Sequence, residues 1–142
     1  MNRIAGVLVA IALTFTAAAA RADDFSGGDR AAIQSLITGQ IEAFRVDDGA
    51  KAWGYASSTI QSIYTTPDAF MAMVRNGYQP VYRPQSVTFG DLMDTEIGPI
   101  QKVYITGPDG KPYIAAYGMQ RQSDGSWKIN GCSLQEDDTP SI

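Results

Sequence analysis

Apolar and polar residues alternate with two different periods along the chain, and the period changes near residue 85. In the first half the spacing is three or four residues, which is typical of one face of a helix. Ser26 and Asp29 precede this pattern and resemble a capping box with aspartate in place of glutamate. The pattern predicts a first helix over residues 27–45, with Gly39 as its weak point. Its apolar stripe consists of Ile33, Leu36, Ile37, Ile41 and Phe44.

A second, shorter helix is predicted over residues 50–56, because Asp47 or Asp48 can cap it. Trp53 would lie on its buried face. A third helix begins at the sequence Thr66-Pro67-Asp68, which combines an N-cap threonine, a proline at the first helical position and an acid in the first turn. Gly77 is expected to close it.

After residue 85 the period is two, which is typical of strands with one buried face. Four such runs are separated by the turn residues Gly98-Pro99, Pro108-Asp109-Gly110 and Ser123-Asp124-Gly125. We interpret Gly131 as a bulge that turns Cys132 and Leu134 toward the core. The chain is therefore predicted to be an α+β domain, with three N-terminal helices packed on a curved four-stranded antiparallel meander. A hollow between helices and sheet would be the natural ligand site.

The segment 76–92 connects the two halves and is expected to form the lip of this hollow. Tyr78, Tyr82 and Arg83 lie around Pro80 and Pro84, so we predict a stiff loop that presents these side chains to a planar or anionic group. In that case, Arg83→Ala should weaken ligand binding and barely change Tm. The alternative is structural: Tyr82 packs in the core, and Arg83 pairs with Asp91 or Glu42.

The N-terminus has the pattern of an export signal. Arg3 precedes an apolar run, and small residues lead to the cleavage-site sequence Ala20-Arg21-Ala22. The run is shorter than the roughly 20 residues that a membrane span needs. We therefore predict a cleaved signal peptide over residues 1–22, a single domain over 23–135 and an acidic flexible tail over 136–142. The mature protein would be periplasmic or secreted, without stable membrane insertion.

Charge and composition exclude several classes of function. Removal of Arg3 and Arg21 leaves 9 basic and 15 acidic residues, a net charge of −6, which makes nucleic acid a poor partner. The chain has no histidine and one cysteine, so we expect no metal site and no cofactor. Cys132 is expected to be a buried residue of the last strand, the alternative being a reactive thiol.

The stretches IEAFRVDDGAKAWGYASSTIQSIYTTPDAFMAMVRNGYQPVYRPQSVTFGDL and DGSWKINGC resemble the small exported bacterial proteins grouped as domain of unknown function 4864. The element GYQPVYRP is the most specific part of the resemblance. The order of elements is also similar to the nuclear-transport-factor-2-like or ketosteroid-isomerase-like superfamily. That resemblance implies a cone of curved sheet around helices, with a pocket inside, but no established activity.

Three functions are consistent with the sequence. The first is binding of a small, partly apolar molecule between helices and sheet. The second is a cofactor-free isomerase or lyase that uses an Asp–Tyr pair, with Asp91 or Asp94 as the base. The third is a protein–protein module, such as a homodimer formed through the sheet. Catalytic residues cannot be assigned, and the enzyme is the less favoured hypothesis. The candidate ligand-binding residues are Trp53, Tyr78, Tyr82, Arg83, Asp91 and Tyr117.

Overall fold

A computed structural model describes residues 25–139. The predicted signal peptide and the last residues of the predicted tail, 140–142, lie outside this range. The described residues form five helices and then four strands. The helices are α1 Gly27–Arg45, α2 Gly49–Gly54, α3 Ser58–Ile63, α4 Pro67–Gly77 and α5 Gln79–Tyr82, and the strands are β1 Ser86–Thr95, β2 Gly98–Thr106, β3 Pro112–Arg121 and β4 Trp127–Glu136.

Helix α1 has the predicted bounds. The Ser26 hydroxyl accepts a hydrogen bond from the Asp29 N–H at 2.9 Å, which satisfies a free donor of the first turn. The apolar stripe is buried, apart from the half-buried Leu36. Gly39 has a packing role, because a Cβ atom at this position would lie 2.7 Å from the Tyr55 hydroxyl. Glycine is a weak helix former, but at position 39 it allows the Tyr55 ring to pack against the helix backbone.

The remaining helices are short, and each of α2, α3 and α4 begins at a side-chain cap. The caps are Asp48, Ser57 and Thr66, whose side chains accept N–H groups of the first turn. The prediction of three helices was wrong in number: residues 58–63 form a helix of their own. The predicted stiff loop was also wrong, because residues 79–82 form one helical turn with Pro80 near its start. Proline is compatible with a first turn, where its missing N–H is not needed.

The sheet is the predicted meander, with antiparallel strands in the order β1-β2-β3-β4. Gly98 at the start of β2, and Gly110 and Gly125 in the turns between strands, have positive φ angles of 104°, 81° and 89°, so glycine is favoured there. The helices followed by this meander confirm the α+β class. The sheet is not strongly curled, and the cone shape is therefore not confirmed.

The register of the sheet has two irregularities, the first of which lies between Phe89 and Leu92 of β1. In β4, Ile129 pairs with Met119 and Gly131 pairs with Gly118, so Asn130 is left over. The predicted change of phase is therefore confirmed, with Cys132 opposite Tyr117, but the extra residue is Asn130 and not Gly131 as predicted. The strand continues to Glu136, and the Asp137 N–H donates to the Pro112 carbonyl at 3.0 Å. Strand pairing thus reaches the beginning of the predicted tail.

The core lies between the helices and one face of the sheet. This face carries the buried side chains of β2, β3 and β4, including Val103, Ile105, Ala115, Tyr117 and Ile129. The opposite face carries Met93, Ile100, Ile114 and Ala116, which surround a shallow hollow together with Lys102. Among the described residues, no helix is long and apolar enough to cross a membrane.

Candidate ligand-binding cavity

A cavity of about 230 Å³ lies between the helices and the C-terminal half of the sheet. Its helical walls are almost entirely apolar. Helix α1 contributes Phe44, and α4 contributes Phe70 and Val74, all three of which are buried. Phe44 and Phe70 pack with ring centroids 6.3 Å apart, which is a favourable distance for an aromatic pair. These side chains give the cavity a rigid wall on the helical side.

The sheet forms the other wall through Tyr117, Ile129 and Cys132. The junction of α2 and α3 is attached to this wall by two backbone hydrogen bonds. The Ser57 N–H donates to the Ile129 carbonyl at 2.8 Å, and the Ile129 N–H donates to the Tyr55 carbonyl at 2.9 Å. Helix α3 therefore sits against β4, although it makes few other contacts with the sheet.

The cavity opens beside α3. Ile63 lines the cavity although it is 63% exposed, while Ile60, Tyr64 and Met73 line it and are half-buried. An exposed isoleucine at the rim of an apolar cavity marks the place where a molecule can enter without crossing the core. The mouth therefore lies between α3 and α4, away from the predicted lip. Of segment 76–92, Tyr78 and Val81 line the cavity.

Four polar side chains besides Cys132 interrupt the apolar lining: Gln40, Tyr64, Tyr78 and Tyr117. Gln40 is buried and donates from Nε2 to the Ala52 carbonyl at 3.1 Å. Tyr78 donates from its hydroxyl to the Cys132 carbonyl at 3.1 Å. Tyr117 is 1% exposed, and no atom of the described chain completes a hydrogen bond with its hydroxyl. This hydroxyl is fully buried beside the Cys132 thiol.

The cavity favours uncharged side chains. Burial raises the pKa of Cys132 to about 12, so its thiol is protonated at neutral pH. Burial likewise raises the pKa values of Tyr78 and Tyr117. The thiol interacts electrostatically with the Tyr117 hydroxyl, but the pair lacks the geometry of a hydrogen bond. A protonated thiol is a weak nucleophile, so the chemistry of a thiolate is not available here.

Of the six predicted site residues, Tyr78 and Tyr117 line the cavity, and the other four lie elsewhere. Trp53 is half-buried and donates from its indole N–H to the Tyr64 carbonyl at 2.8 Å. This bond connects α2 to the end of α3, close to the mouth. Asp91 is exposed in the irregular part of β1, where its carbonyl accepts from Gln101 Nε2 at 3.4 Å.

Tyr82 and Arg83 have a structural role around Asp47. The Tyr82 hydroxyl donates to one carboxylate oxygen of Asp47, and Arg83 Nη2 donates to the other at 3.1 Å. Arg83 Nη1 also donates to the carbonyl of Phe44, at the end of α1. The structural alternative thus has support, but its expected partner was wrong: Arg83 pairs with Asp47 rather than with Asp91 or Glu42.

This cluster of Asp47, Tyr82 and Arg83 stabilises the connection between α1 and α5. Asp47 has a φ angle of 55°, a conformation that aspartate tolerates better than most residues. The hydrogen bond from Tyr82, together with the charge of Arg83, lowers the pKa of the Asp47 carboxyl. The Arg83 guanidinium lies 3.9 Å from the centroid of the Tyr82 ring, so the three side chains stack as one unit.

The residues that complete the cavity were missed because they resemble ordinary core. Phe44, Phe70 and Val74 are apolar residues at helical spacing, and such residues pack in a core whether or not a cavity is present. Gln40 carried a usable signal. It lies at a buried position of the α1 stripe, three residues after Ile37 and four before Phe44, where a polar residue is unexpected.

Within residues 25–139, no group of three or more cysteine, aspartate or glutamate side chains is arranged to hold a metal ion. The cavity-lining residues include no carboxylate and no basic side chain. The arrangement can hold a small apolar molecule.

The fold and the cavity define a class of protein: a small α+β domain with an open, largely apolar cavity between its helices and its sheet. A family model described as Domain of unknown function (DUF4864) matches residues 27–142, and the chain belongs to this family. The match extends over all nine helices and strands of the described part. No curated protein and no solved structure matches the chain.

Proposed function

We propose that this protein binds a small, largely apolar molecule in the cavity between its helices and its sheet. The observation that supports the proposal is the cavity itself, about 230 Å³ in volume, with largely apolar walls and no charged side chain in its lining. An apolar cavity of about 150 Å³ is large enough to bind benzene. By proportion, this cavity suits a molecule of about nine non-hydrogen atoms.

The exported location is part of the same proposal, since the N-terminal sequence has the pattern of a cleaved signal. A periplasmic or secreted binding protein meets small molecules that enter from outside the cell. The nuclear-transport-factor-2-like cone also remains a proposal. It is supported by the order of elements and by the position of the cavity between helices and meander.

The test is to fill the cavity. Val74 is buried in α4 and lines the cavity, so Val74→Phe places additional atoms in the space that a ligand would occupy. We expect α-methylstyrene, an apolar probe of suitable size, to bind the unmodified protein saturably in isothermal titration calorimetry. At tenfold excess over Kd it should stabilise the protein by about 1.4 kcal/mol. Val74→Phe should weaken this binding by at least about tenfold, because both occupants need the same volume.

The matched control is Ala72→Phe, which adds the same ring to the exposed side of the same helix. It should leave binding unchanged. Circular dichroism and thermal unfolding establish that each variant is folded. If the unmodified protein shows no saturable binding, or if Val74→Phe binds as well as Ala72→Phe does, the cavity is not the ligand site.

The isomerase hypothesis has less support from the geometry. The two Asp–Tyr pairs among the described residues are Asp47–Tyr82 and Asp109–Tyr113, and in both the aspartate is exposed. The hydrogen bond from Tyr113 lowers the pKa of Asp109, and the same bond raises the pKa of Tyr113 to about 12. Such a carboxylate stays ionised and bonded to its partner, outside the cavity.

A homodimer through the sheet is a second proposal, favoured by the apolar residues on the outer face. Met93, Ile100 and Ile114 surround the shallow hollow there, and Tyr104 beside them is 39% exposed. An apolar surface of this kind is typical of contact sites. We expect sedimentation equilibrium to give the mass of a dimer that dissociates when Ile114 is replaced by lysine. A monomer at all concentrations would contradict this proposal.

A further inference from the structure

Helix α3 forms one side of the cavity mouth, and the rest of the described chain leaves its apolar side chains uncovered. The helix has no buried residue. Ile60, Ile63 and Tyr64 follow one another at spacings of three and four residues, and all three line the cavity. Ile63 is nevertheless 63% exposed. The apolar wall of the cavity therefore continues past the mouth onto the surface of α3.

The position of Ile63 distinguishes it from other exposed apolar residues. Single apolar side chains on a protein surface are common and need no explanation. Val46 after α1 and Ile97 between β1 and β2 are of this kind, because they are 73% and 86% exposed and neither lines the cavity. Ile63 borders the cavity together with Ile60, so a molecule that fills the cavity and extends through its mouth covers this side chain.

Hydrogen bonds at both ends hold α3 in this position, since the helix buries none of its own residues. At its start Ser57 is buried, its N–H donates to the Ile129 carbonyl at 2.8 Å, and its hydroxyl donates to Asn130 Oδ1 at 2.7 Å. At its end the Tyr64 carbonyl accepts from the Trp53 indole N–H at 2.8 Å. Helix α3 is therefore fixed beside the mouth, where its apolar side is available to a ligand.

The two helices beside the mouth present no charge to it. Residues 52–67, which include α3, contain no Asp, Glu, Lys or Arg, although the chain has 15 acidic and 11 basic residues. On α4, Asp68 and Arg75 lie on the side of the helix opposite to Phe70 and Val74, because an α-helix has about 3.6 residues per turn. A charged group at the mouth therefore finds no counter-ion on either helix.

We infer that the ligand is an uncharged amphiphile with a single apolar chain, which fills the cavity and continues across Ile63, so that its polar head lies outside the mouth in water. The cavity holds about nine non-hydrogen atoms, and the atoms beyond them are covered on one side by α3. A chain occupies both places at once, whereas a compact ring of the size of the cavity leaves Ile63 exposed. This inference rests on the proposed function and adds the chemical class of the ligand. Long-chain alcohols and uncharged amides and esters of fatty acids belong to the class.

Three probes that differ in length or in charge test the inference. 1-Octanol matches the capacity of the cavity, 1-dodecanol has a longer chain with the same head, and dodecanoate has a longer chain with a charged head. Calorimetric Kd values at pH 7 are measured for the unmodified protein and for Ile63→Ser, with the protein titrated into the probe because long-chain alcohols are sparingly soluble. The matched control is Ile97→Ser, the same substitution at an exposed isoleucine that does not line the cavity.

The expected result follows from the burial of methylene groups. A fully buried methylene raises affinity by about fourfold, and one covered on a single side raises it by about twofold. We therefore expect 1-dodecanol to bind the unmodified protein about tenfold more tightly than 1-octanol. This advantage should fall to about threefold or less in Ile63→Ser and should persist in Ile97→Ser. Dodecanoate should bind more weakly than 1-dodecanol, because its charge finds no counter-ion at the mouth.

Three results would overturn the inference while saturable binding of 1-octanol and α-methylstyrene left the proposed function intact. They are equal affinities of the unmodified protein for the two alcohols, an advantage of 1-dodecanol that persists in Ile63→Ser, and tighter binding of dodecanoate than of 1-dodecanol. Failure of both 1-octanol and α-methylstyrene to bind the unmodified protein would instead contradict the proposed function. Because Ile63 is exposed, Ile63→Ser should fold normally, and its thermal unfolding should match that of the unmodified protein.

Discussion

Replacement of Phe44 by alanine is expected to lower the free energy of unfolding by about 3 kcal/mol. Phe44 is 2% exposed and packs against Phe70 and Tyr82, with ring centroids 6.3 Å apart in both pairs. Truncation of a buried phenylalanine costs about 3–5 kcal/mol. We expect the lower end of this range, since one side of the Phe44 ring already borders the cavity. Because small domains have about 5–15 kcal/mol of stability in total, this loss is a large fraction.

The same substitution should change the size of ligand that the cavity accepts. Removal of the Phe44 ring enlarges the cavity, so a bicyclic ketone such as 1-acetonaphthone should gain affinity relative to acetophenone. Urea denaturation measures the stability, and calorimetry measures the two Kd values. Phe89→Ala is the control, because Phe89 is half-buried on β1 and does not line the cavity. Phe89→Ala should lower the free energy of unfolding by about 1 kcal/mol and leave the ratio of the two ketone affinities unchanged.

A smaller loss of unfolding free energy in Phe44→Ala than in Phe89→Ala would contradict this description of the cavity wall. An unchanged preference between the two ketones would also contradict it. Either result would mean that the Phe44 ring does not form part of the cavity wall.

Replacement of Arg83 by alanine should lower Tm by about 5 °C and leave the binding of α-methylstyrene unchanged. The expectation from the sequence alone was the reverse. Arg83 donates to the Phe44 carbonyl, the Tyr82 carbonyl and the Asp47 carboxylate, and it does not line the cavity. We estimate the loss at about 1–2 kcal/mol, because the guanidinium is 36% exposed and solvent screens part of its interaction.

Arg45→Ala is the matched control, since Arg45 is an exposed arginine whose ion pair with Glu42 spans 3.7 Å at the helix surface. Surface pairs of this kind contribute about 0–1 kcal/mol. Differential scanning calorimetry measures both variants. If Arg83→Ala has the same Tm as Arg45→Ala, Arg83 does not have the structural role described here. If Arg83→Ala alone binds α-methylstyrene more weakly, Arg83 belongs to the ligand site.

The Asp47 cluster also gives the stability a dependence on pH. The folded-state pKa of the Asp47 carboxyl lies below the ordinary value of 3.8, mainly because Tyr82 donates a hydrogen bond to it and Arg83 lies nearby. The stabilisation is therefore fully present above the unfolded pKa and is lost as the pH falls below it. The decrease in Tm between pH 7 and pH 3 should be smaller in Asp47→Asn, which cannot titrate and still tolerates the positive φ angle. An equal decrease would show that Asp47 does not contribute.

Local sequence determined much of the fold, because the relevant interactions lie within a few residues. The caps at Ser26 and Thr66 and the stripe of α1 depend on neighbouring positions, and the first helix has the predicted bounds. Helix α5 differs from the predicted loop because proline, which favours extended backbone before it, also fits the first turn of a helix. The change of phase near Gly131 was predicted, since alternation resumes at Cys132 with the opposite parity.

The site depended on contacts between residues far apart in the chain. Arg83 was given a binding role because no nearby residue explained it, whereas its partner Asp47 lies 36 positions earlier. Tyr117 was one of several alternating strand residues, and its sequence context does not distinguish a hydroxyl with a partner from one without. The sequence by itself determined most of the secondary structure, the α+β class and the family, because periodicity, caps and turns are local. The tertiary structure alone decided where the cavity lies and which side chains line it, because the packing of α1, α4, β3 and β4 creates it.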